Sequence, residues 1–566
     1  MNHTIVAIVA VMTNVTYDVV VVGSGTGMAA ALAAREQGLS VLVVEKSEYV
    51  GGSTARSGGA FWVPGNAALK EAGIDDDLEA AFEYVEAVVS GTAASDRIHS
   101  FIDHGPDAIA MLTRTTPLSF MWTPGYSDYH PENRGGSAVG RTCEPRPFNA
   151  SKLGVERKRL RPTNIPIPIP FTSADFRLIN LAARQPLKGM PRLIKRVAQG
   201  IGGLVFKREY VSAGQALTAG MFAGAIRNNI PVWTSASVTE LITEDRRVTG
   251  VIVQKSDEKV TVIARRGVIL ASGGFDHDMA MRRKYQSEAL VENLSLGAES
   301  NTGDAIRLAQ DIGATVENMD QAWWFPAGAP LPGGQPMSML ADRSLPGSFM
   351  VDQTGRRFIN ESVDYMTFGQ ELLAREKRNE PVEAMWLIFD QKYRNSYVLA
   401  TQVPPLLGIP RSWFDAGVAV RATSVSELAN KIGVEEARLV RTVRNFNASA
   451  ARGVDPDFHR GDSAYDRYYG DPTNRPNPNL RPLSGGTLYA VKTVLSDLGT
   501  CGGLRADPHA RVLREDGSPI EGLFAVGNTA ASVFGHTYPG AGATIGQGVV
   551  FGYIAAQFIA RGAVAD

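Results

Sequence analysis

Glycines 23, 25 and 27 lie within Gly23-Ser24-Gly25-Thr26-Gly27, the clearest chemical signal in the chain. Glycine at this spacing turns the backbone tightly and brings N–H groups against a pyrophosphate at a helix N-terminus. Glu45 ends the next apolar run, 22 residues after Gly23, where a carboxylate is placed to accept hydrogen bonds from a ribose. Met28 stands at the third fingerprint position, normally Gly or Ala, and predicts looser packing of the helix on its strand. A second cluster, residues 51–59 (GGSTARSGG), is too long for a simple turn. It adds Gly51, Gly52, Ser53, Thr54, Ser57, Gly58 and Gly59 to the groups that could cradle a dinucleotide. Which dinucleotide this is depends on the rest of the chain.

The elements that must carry these residues are legible. Residues 17–22 (YDVVVV) read as a strand buried on both faces of a parallel sheet, residues 28–37 as an Ala-rich helix, and 39–44 (LSVLVV) as the next strand. Together they make a βαβ unit. Runs at 232–242, 248–253, 260–263 and 267–271 read as further strands, and 522–526 as the last strand of the same sheet. Between residues 322 and 499 the pattern changes to helices, marked by a capping box at Ser424 to Glu427 and an amphipathic run at 435–446. The predicted fold is α/β: a discontinuous Rossmann-like domain over 12–321 and 500–566, with an α+β domain inserted at 322–499. Proline-rich stretches at 161–171 and 471–482 read as irregular connections.

A chain of 566 residues exceeds one compact core, which supports two domains. Its net charge of -1 implies no polyanionic partner, so nucleic acid is not expected. Two cysteines, Cys143 and Cys501, neither staple such a chain nor build a zinc site, and cytoplasm is the expected location. Eight scattered histidines show no metal-ligand or triad spacing, so no metal is expected and His536 reads as a packing or hydrogen-bonding residue. Cys501 reads as a small filler in a glycine turn. The apolar stretch 5–12 is too short to span a bilayer and has no signal-peptide flanks, and Met12 offers an alternative start. Residues 184–208 interleave Lys188, Arg192, Lys195, Arg196, Lys207 and Arg208 with apolar residues. The segment could rest on an anionic membrane surface, but a solvated basic face is the simpler reading, and membrane contact would be at most peripheral.

The second glycine cluster, residues 268–275 (VILASGGF) and residues 522–528 (GLFAVGN) resemble the flavoproteins that include succinate dehydrogenase, fumarate reductase and the 3-ketosteroid dehydrogenases. The resemblance implies FAD, held non-covalently because the cluster has no histidine to carry a covalent flavin. It also implies that Lys46, Val238, Ala271, Ser272, Gly273, Gly527, Asn528, Thr544 and Ile545 join the glycine turns in holding it. Dicarboxylate members use a His-Gly-x-Asn-Arg motif, whereas residues 535–546 read GHTYPGAGATIG, and no arginine occurs between Gly527 and Tyr553. A doubly anionic substrate would lack its bidentate partner. The segment instead resembles the 3-ketosteroid Δ1-dehydrogenases, as do residues 122–129, 300–304, 358–365 and 496–503.

In that family the matching tyrosine hydroxyl and glycine N–H bind the steroid's carbon-3 ketone, roles that fall to Tyr538 and Gly542. The matching base is Tyr365, which takes the proton from carbon 2, and Tyr129 is the tyrosine that hydrogen-bonds to it. Tyr126, three residues before Tyr129, is the alternative for that relay. Two preorganised donors can stabilise a developing enolate by several kcal/mol. With an ordinary pKa of about 10, a tyrosine base needs either a favoured phenolate or a relay for its proton. The resemblance implies hydride transfer from carbon 1 to flavin N5 and reoxidation by an acceptor such as a quinone or dye. Trp323, Trp324 and Phe325 read equally as cleft lining or as core. Rival readings are a 4,5-desaturase of 5α-reduced 3-ketosteroids, a fumarate-reductase-like enone reductase and a flavin electron carrier without substrate chemistry.

Overall fold

Val19, Val20, Val21 and Val22 are buried on both faces of the central strand Thr13–Val22. Each such side chain contributes about 1.5–3 kcal/mol on leaving water. Val19 and Val21 face one core with the helix Gly27–Glu36, and Val20 and Val22 face the opposite core. The computed structural model describes residues 13–163, 168–288 and 290–562. The apolar stretch 5–12, the alternative start Met12, residues 164–167 of the first proline-rich run and residues 563–566 lie outside them.

Around the central strand an eight-stranded sheet assembles. Thr13–Val22 pairs in parallel with Val41–Val44 on one side and with Glu258–Leu270 on the other. The runs 260–263 and 267–271, expected as two strands, are this one strand of 13 residues. The strand runs on through the polar break because Arg265 and Arg266 reach Asp18 at 3.0 and 3.6 Å at a local irregularity, where the pairing passes from Tyr17–Ala264 to Val19–Gly267. Conversely, 232–242 divides into Val232–Trp233 and Ala236–Glu244, separated where Ser235 takes a φ of 51°. The late strand Pro519–Ala525 returns to pair in parallel with Val268, Ile269 and Leu270. The closing helix Ala543–Arg561 then packs on Gly27–Glu36. Among the described residues it is the one helix long and apolar enough to cross a membrane, yet most of it is buried in this core.

A second, six-stranded sheet draws all its strands from Ala322–Gly328 through Leu488–Thr500, and every pairing in it is antiparallel. The helix Val425–Ile432 starts where expected, with the Ser424 hydroxyl accepting from the Glu427 N–H. The returning arm of the expected capping box differs: the Glu427 carboxylate accepts from the N–H of Thr423, not of Ser424.

Candidate active site

The glycine turn sits between the central strand and its helix and opens onto a cavity of about 1770 Å³. The N–H groups of Gly25 and Thr26 have no intramolecular acceptor among the described residues and lie at the N-terminus of Gly27–Glu36. Such orphan donors suit a diphosphate. Glu45 Oε2 accepts from the Ser24 N–H at 3.0 Å and its hydroxyl at 2.6 Å, while Oε1 accepts from the Ser47 N–H at 2.9 Å. The carboxylate thus braces the turn and keeps acceptor capacity for a ribose hydroxyl. Gly52, Ser53, Thr54, Ser57, Gly58 and Gly59 line the same cavity. So do Val238, Ala271, Ser272, Gly273, Gly527, Asn528 and Ile545, while Lys46 lines it with its ammonium 2.7 Å from Asp304. The donors, the bracing carboxylate and the volume fit FAD.

Gly27, Met28 and Gly51 do not reach this lining. A Cβ on Gly27 would lie 2.7 Å from the Ala271 side chain and 3.0 Å from Val21, so this residue provides the close helix–strand contact. Met28 is buried in the core and leaves that contact intact, contrary to the looser packing expected. Gly51 turns the chain behind the cavity, against Thr218 and Ala55.

Deeper in the cavity stand Tyr129, Tyr365 and Tyr538, each pair of rings 5.3 Å apart. They come from three separate stretches of chain. Tyr129 lies in a loop after the strand Phe120–Trp122, with its backbone N–H donating to the Pro539 carbonyl at 3.0 Å. Tyr365 opens the helix Tyr365–Lys377, whose N-cap is Asp364. Tyr538 precedes Gly542, which caps the closing helix with a φ of 93°; a Cβ there would lie 2.3 Å from the Ala60 carbonyl oxygen. The Gly542 N–H has no acceptor among the described residues. Thr544, expected at the cofactor, lines the cavity but donates its hydroxyl to Tyr538 Oη at 2.9 Å, which leaves the Tyr538 proton free to donate elsewhere.

Burial pushes the Tyr365 phenol well above its ordinary value, and the neighbouring Tyr538 adds to the shift. Burial does the same to Tyr129, whose hydroxyl has no hydrogen-bond partner among the described residues. A resting phenolate is therefore disfavoured, which leaves the relay of the two conditions on a tyrosine base. Tyr126 stacks one ring further out, 6.4 Å from Tyr129, and bonds to the Tyr469 hydroxyl; burial pushes it up to about 12. Tyr465, 4.6 Å from Tyr129, and Tyr468, 4.4 Å from Tyr126, complete the cluster. Sequence reasoning missed these three, although their i, i+3, i+4 spacing on Ala464–Tyr468 and just beyond it was a signal for one face. Of the aromatic trio, Phe325 lines the cavity 5.5 Å from Tyr365, whereas Trp323 and Trp324 are wholly buried and absent from the lining.

Asn301, in the lining, donates from Nδ2 to Ser53 Oγ at 2.9 Å and to Asp276 behind it at 3.2 Å. The Ser295 hydroxyl links Asp276 and Asp497, and Arg282 pairs with Asp497 at 2.8 Å. Burial, reinforced by the Asp497 charge, pushes Asp276 up to about 7. His536 Nε2 lies 3.1 Å from Asn318 Oδ1, and Cys501, wholly buried, donates to the Gly535 carbonyl at 3.2 Å. Among the described residues no group of acidic, histidine or cysteine side chains could hold a metal.

Residues 18–545 match the family model described as an FAD binding domain. The chain is 44% identical over 568 residues to a 3-oxosteroid 1-dehydrogenase of Mycolicibacterium smegmatis, covering 98% of this chain and 99% of that one. The chain belongs to the FAD-binding family of the 3-oxosteroid 1-dehydrogenases. Within the family, it is similar to the solved 3-ketosteroid Δ1-dehydrogenase from Sterolibacterium denitrificans in complex with 1,4-androstadiene-3,17-dione. That similarity has a TM-score of 0.91 and 36% identity and covers 97% of this chain and all of the other. It is also 37% identical to a 4-oxocyclohexanecarboxylate 2-dehydrogenase of Sinomonas cyclohexanicum, over 96% of this chain and 93% of that one.

Proposed function

We propose that this flavoprotein introduces the 1,2 double bond into a 3-ketosteroid, converting a 3-oxo-4-ene to a 3-oxo-1,4-diene. The observation that carries this reading is the triangle of Tyr129, Tyr365 and Tyr538 beside the unbonded Gly542 N–H, in the cavity that begins at the glycine turn. The Tyr538 hydroxyl and the Gly542 N–H donate to the carbon-3 oxygen and stabilise the charge that develops there. Thr544, donating to Tyr538 Oη, aims the phenolic proton at that oxygen. Tyr365 takes the proton from carbon 2. Because burial opposes a lasting phenolate, Tyr365 passes the proton on, and Tyr129 is the adjacent hydroxyl with no other partner. FAD, when bound, supplies the hydride-accepting chemistry that oxidation of carbons 1 and 2 requires. Among the described residues neither histidine nor cysteine lines the cavity, which supports non-covalent holding. The acceptor that reoxidises it is a quinone or, in the assay, a dye.

The cavity's size favours a polycyclic substrate. Ordinary ligand pockets span about 300–1,000 Å³, and this one exceeds that range, with room for a dinucleotide and a bulky ketone together. A second reading, a small ring ketone carrying a carboxylate, is favoured by Arg177. It lines the cavity over the Tyr468 ring at 4.4 Å and makes no salt bridge among the described residues. We take residues 322–499, which carry Tyr365 and nearly all of the second sheet, as the catalytic insertion, with 12–321 and 500–566 holding the cofactor. The unpaired, buried Cys143 and Cys501 support a cytoplasmic location.

The test is anaerobic mixing of the holoenzyme with androst-4-ene-3,17-dione. Flavin bleaching with a 1,4-diene product is expected, and it should disappear in Tyr365→Phe. Unbleached flavin would overturn the assignment. Bleaching only by a 5α-reduced 3-ketosteroid, with a 4-ene product, would establish the 4,5-desaturase instead, and bleaching only by 4-oxocyclohexanecarboxylate the small-ring reading.

A further inference from the structure

Among the described residues four cations line the cavity, Lys46, Arg56, Arg157 and Arg177. Three of them are paired: Lys46 with Asp304 at 2.7 Å, Arg56 with Glu299 at 2.7 Å and Arg157 with Glu209. Arg177 has neither a salt bridge nor a side-chain hydrogen bond among the described residues. It stands on the helix Ser173–Asn180, and the carboxylates on and beside that helix are already occupied. Asp175 is held by Arg196, which is buried there and so departs from the solvated basic face expected of residues 184–208. Glu144 accepts from the N–H groups of Ser173 and Ala174 at 2.7 and 3.1 Å.

What Arg177 touches is an aromatic face. Its guanidinium lies 4.4 Å over the Tyr468 ring, and a Cβ on Gly125 would meet its Nη1 at 3.6 Å. Stacked on a ring, a guanidinium keeps its in-plane fork of N–H groups for a carboxylate. Tyr468 in turn ends a ladder of near-parallel rings. Tyr538 and Tyr129 meet at 22° and 5.3 Å, Tyr129 and Tyr126 at 27° and 6.4 Å, and Tyr126 and Tyr468 at 10° and 4.4 Å. All four rings line the cavity. The ladder starts at Tyr538, whose hydroxyl is assigned to the carbon-3 oxygen, and ends under Arg177. Three ring-to-ring steps thus separate the ketone site from the ring that carries the cation, which suits a fused-ring plate with a side chain better than a single ring.

We propose that Arg177 recognises a carboxylate at the end of the steroid's carbon-17 side chain, so that the enzyme prefers 3-oxo-4-ene steroid acids to their neutral counterparts. This specificity rests on the 1,2-desaturation assigned above and adds the substrate class to it. The cofactor's diphosphate has its own donors at Gly25 and Thr26, which leaves the cation to the substrate. A contact made away from carbons 1 and 2 is as strong before the reaction as during it, so it acts on KM and not on kcat.

The experiment compares the FAD-loaded full chain on 3-oxochol-4-en-24-oate, its methyl ester and androst-4-ene-3,17-dione, with a dye as acceptor. The acid should show a KM roughly tenfold below that of the ester at similar kcat, and added salt should narrow the gap. Arg177→Gln should bring the KM of the acid up to that of the ester, and Arg177→Glu should place it above. Arg177→Lys keeps the charge but not the fork and should fall between the parent and Arg177→Gln. Equal KM values for acid and ester in the parent would overturn the proposal, as would a preference for the acid that survives in Arg177→Gln. Either result leaves the desaturase reading standing as long as androst-4-ene-3,17-dione is converted. Flavin that none of the three steroids bleaches would overturn that reading and the steroid-acid specificity with it.

Discussion

Tyr365 and Tyr538 face one another across 5.3 Å, and the proposed reaction gives them opposite tasks, one accepting a proton and the other donating a hydrogen bond. Removing the Tyr365 hydroxyl should lower turnover by roughly 10²–10⁴-fold, the usual range for a general base. FAD content should be unchanged, because Tyr365 stands on the second sheet's side of the cavity, away from the glycine turn. Tyr538→Phe deletes one oxyanion donor and leaves Thr544 without its acceptor; turnover should fall by about 10²–10³-fold. Stopped-flow bleaching of the bound flavin measures both directly. At this scale the sequence was informative in an uneven way. The glycine turn, Glu45 and the three tyrosines were legible from motif and resemblance. The part of Thr544 was not, because a hydroxyl near a cofactor segment gives no sign of which neighbour it will bond. Nor were the buried partners Tyr465 and Tyr468, which approach Tyr126 and Tyr129 only after more than three hundred intervening residues have folded.

Single elements carry the next constraint, since Ser53 of the second glycine cluster is tied through Asn301 to Asp276, and Ser295 links Asp276 to Asp497 on the strand Leu488–Thr500. The folded-state pKa of Asp276 is raised to about 7 from an ordinary 3.8. The folded state therefore holds this proton more tightly than the unfolded chain, and its stabilising contribution is complete below about pH 4 and lost as pH rises through about 7. Asp276→Asn keeps an acceptor for Asn301 and gains a donor toward Asp497. It should raise the melting temperature at pH 8 by about 2 °C, with little gain at pH 4, so calorimetry across that range should give a flatter profile than the parent's. The neighbouring Arg282, His277 and Asp497 remain in both proteins and set the common background. Periodicity found nearly every strand of the cofactor sheet. It split Glu258–Leu270 in two because charged Arg265 and Arg266 interrupt the apolar run, and only Asp18, on another strand, explains how they are accommodated.

For the whole molecule, the cofactor completes the fold around a cavity of about 1770 Å³ that crosses between the two sheets. FAD bound to the native state alone should stabilise it by about 2.7 kcal/mol at a hundredfold excess over the dissociation constant. Stripping the flavin should therefore lower the melting temperature, and adding FAD back should restore it in proportion to the logarithm of its concentration. A melting point indifferent to FAD would show that the glycine turns do not hold it. The order of the chain adds a constraint in time. The turn that opens the cavity is made within the first thirty residues, but its strand is flanked by Glu258–Leu270, which in turn pairs with Pro519–Ala525, and its helix packs on Ala543–Arg561. During synthesis the glycine turn must therefore wait for a strand and a helix made long after it. Flavin capture is thus a late event, and a message truncated before the codons of Ala543–Arg561 would yield a colourless protein.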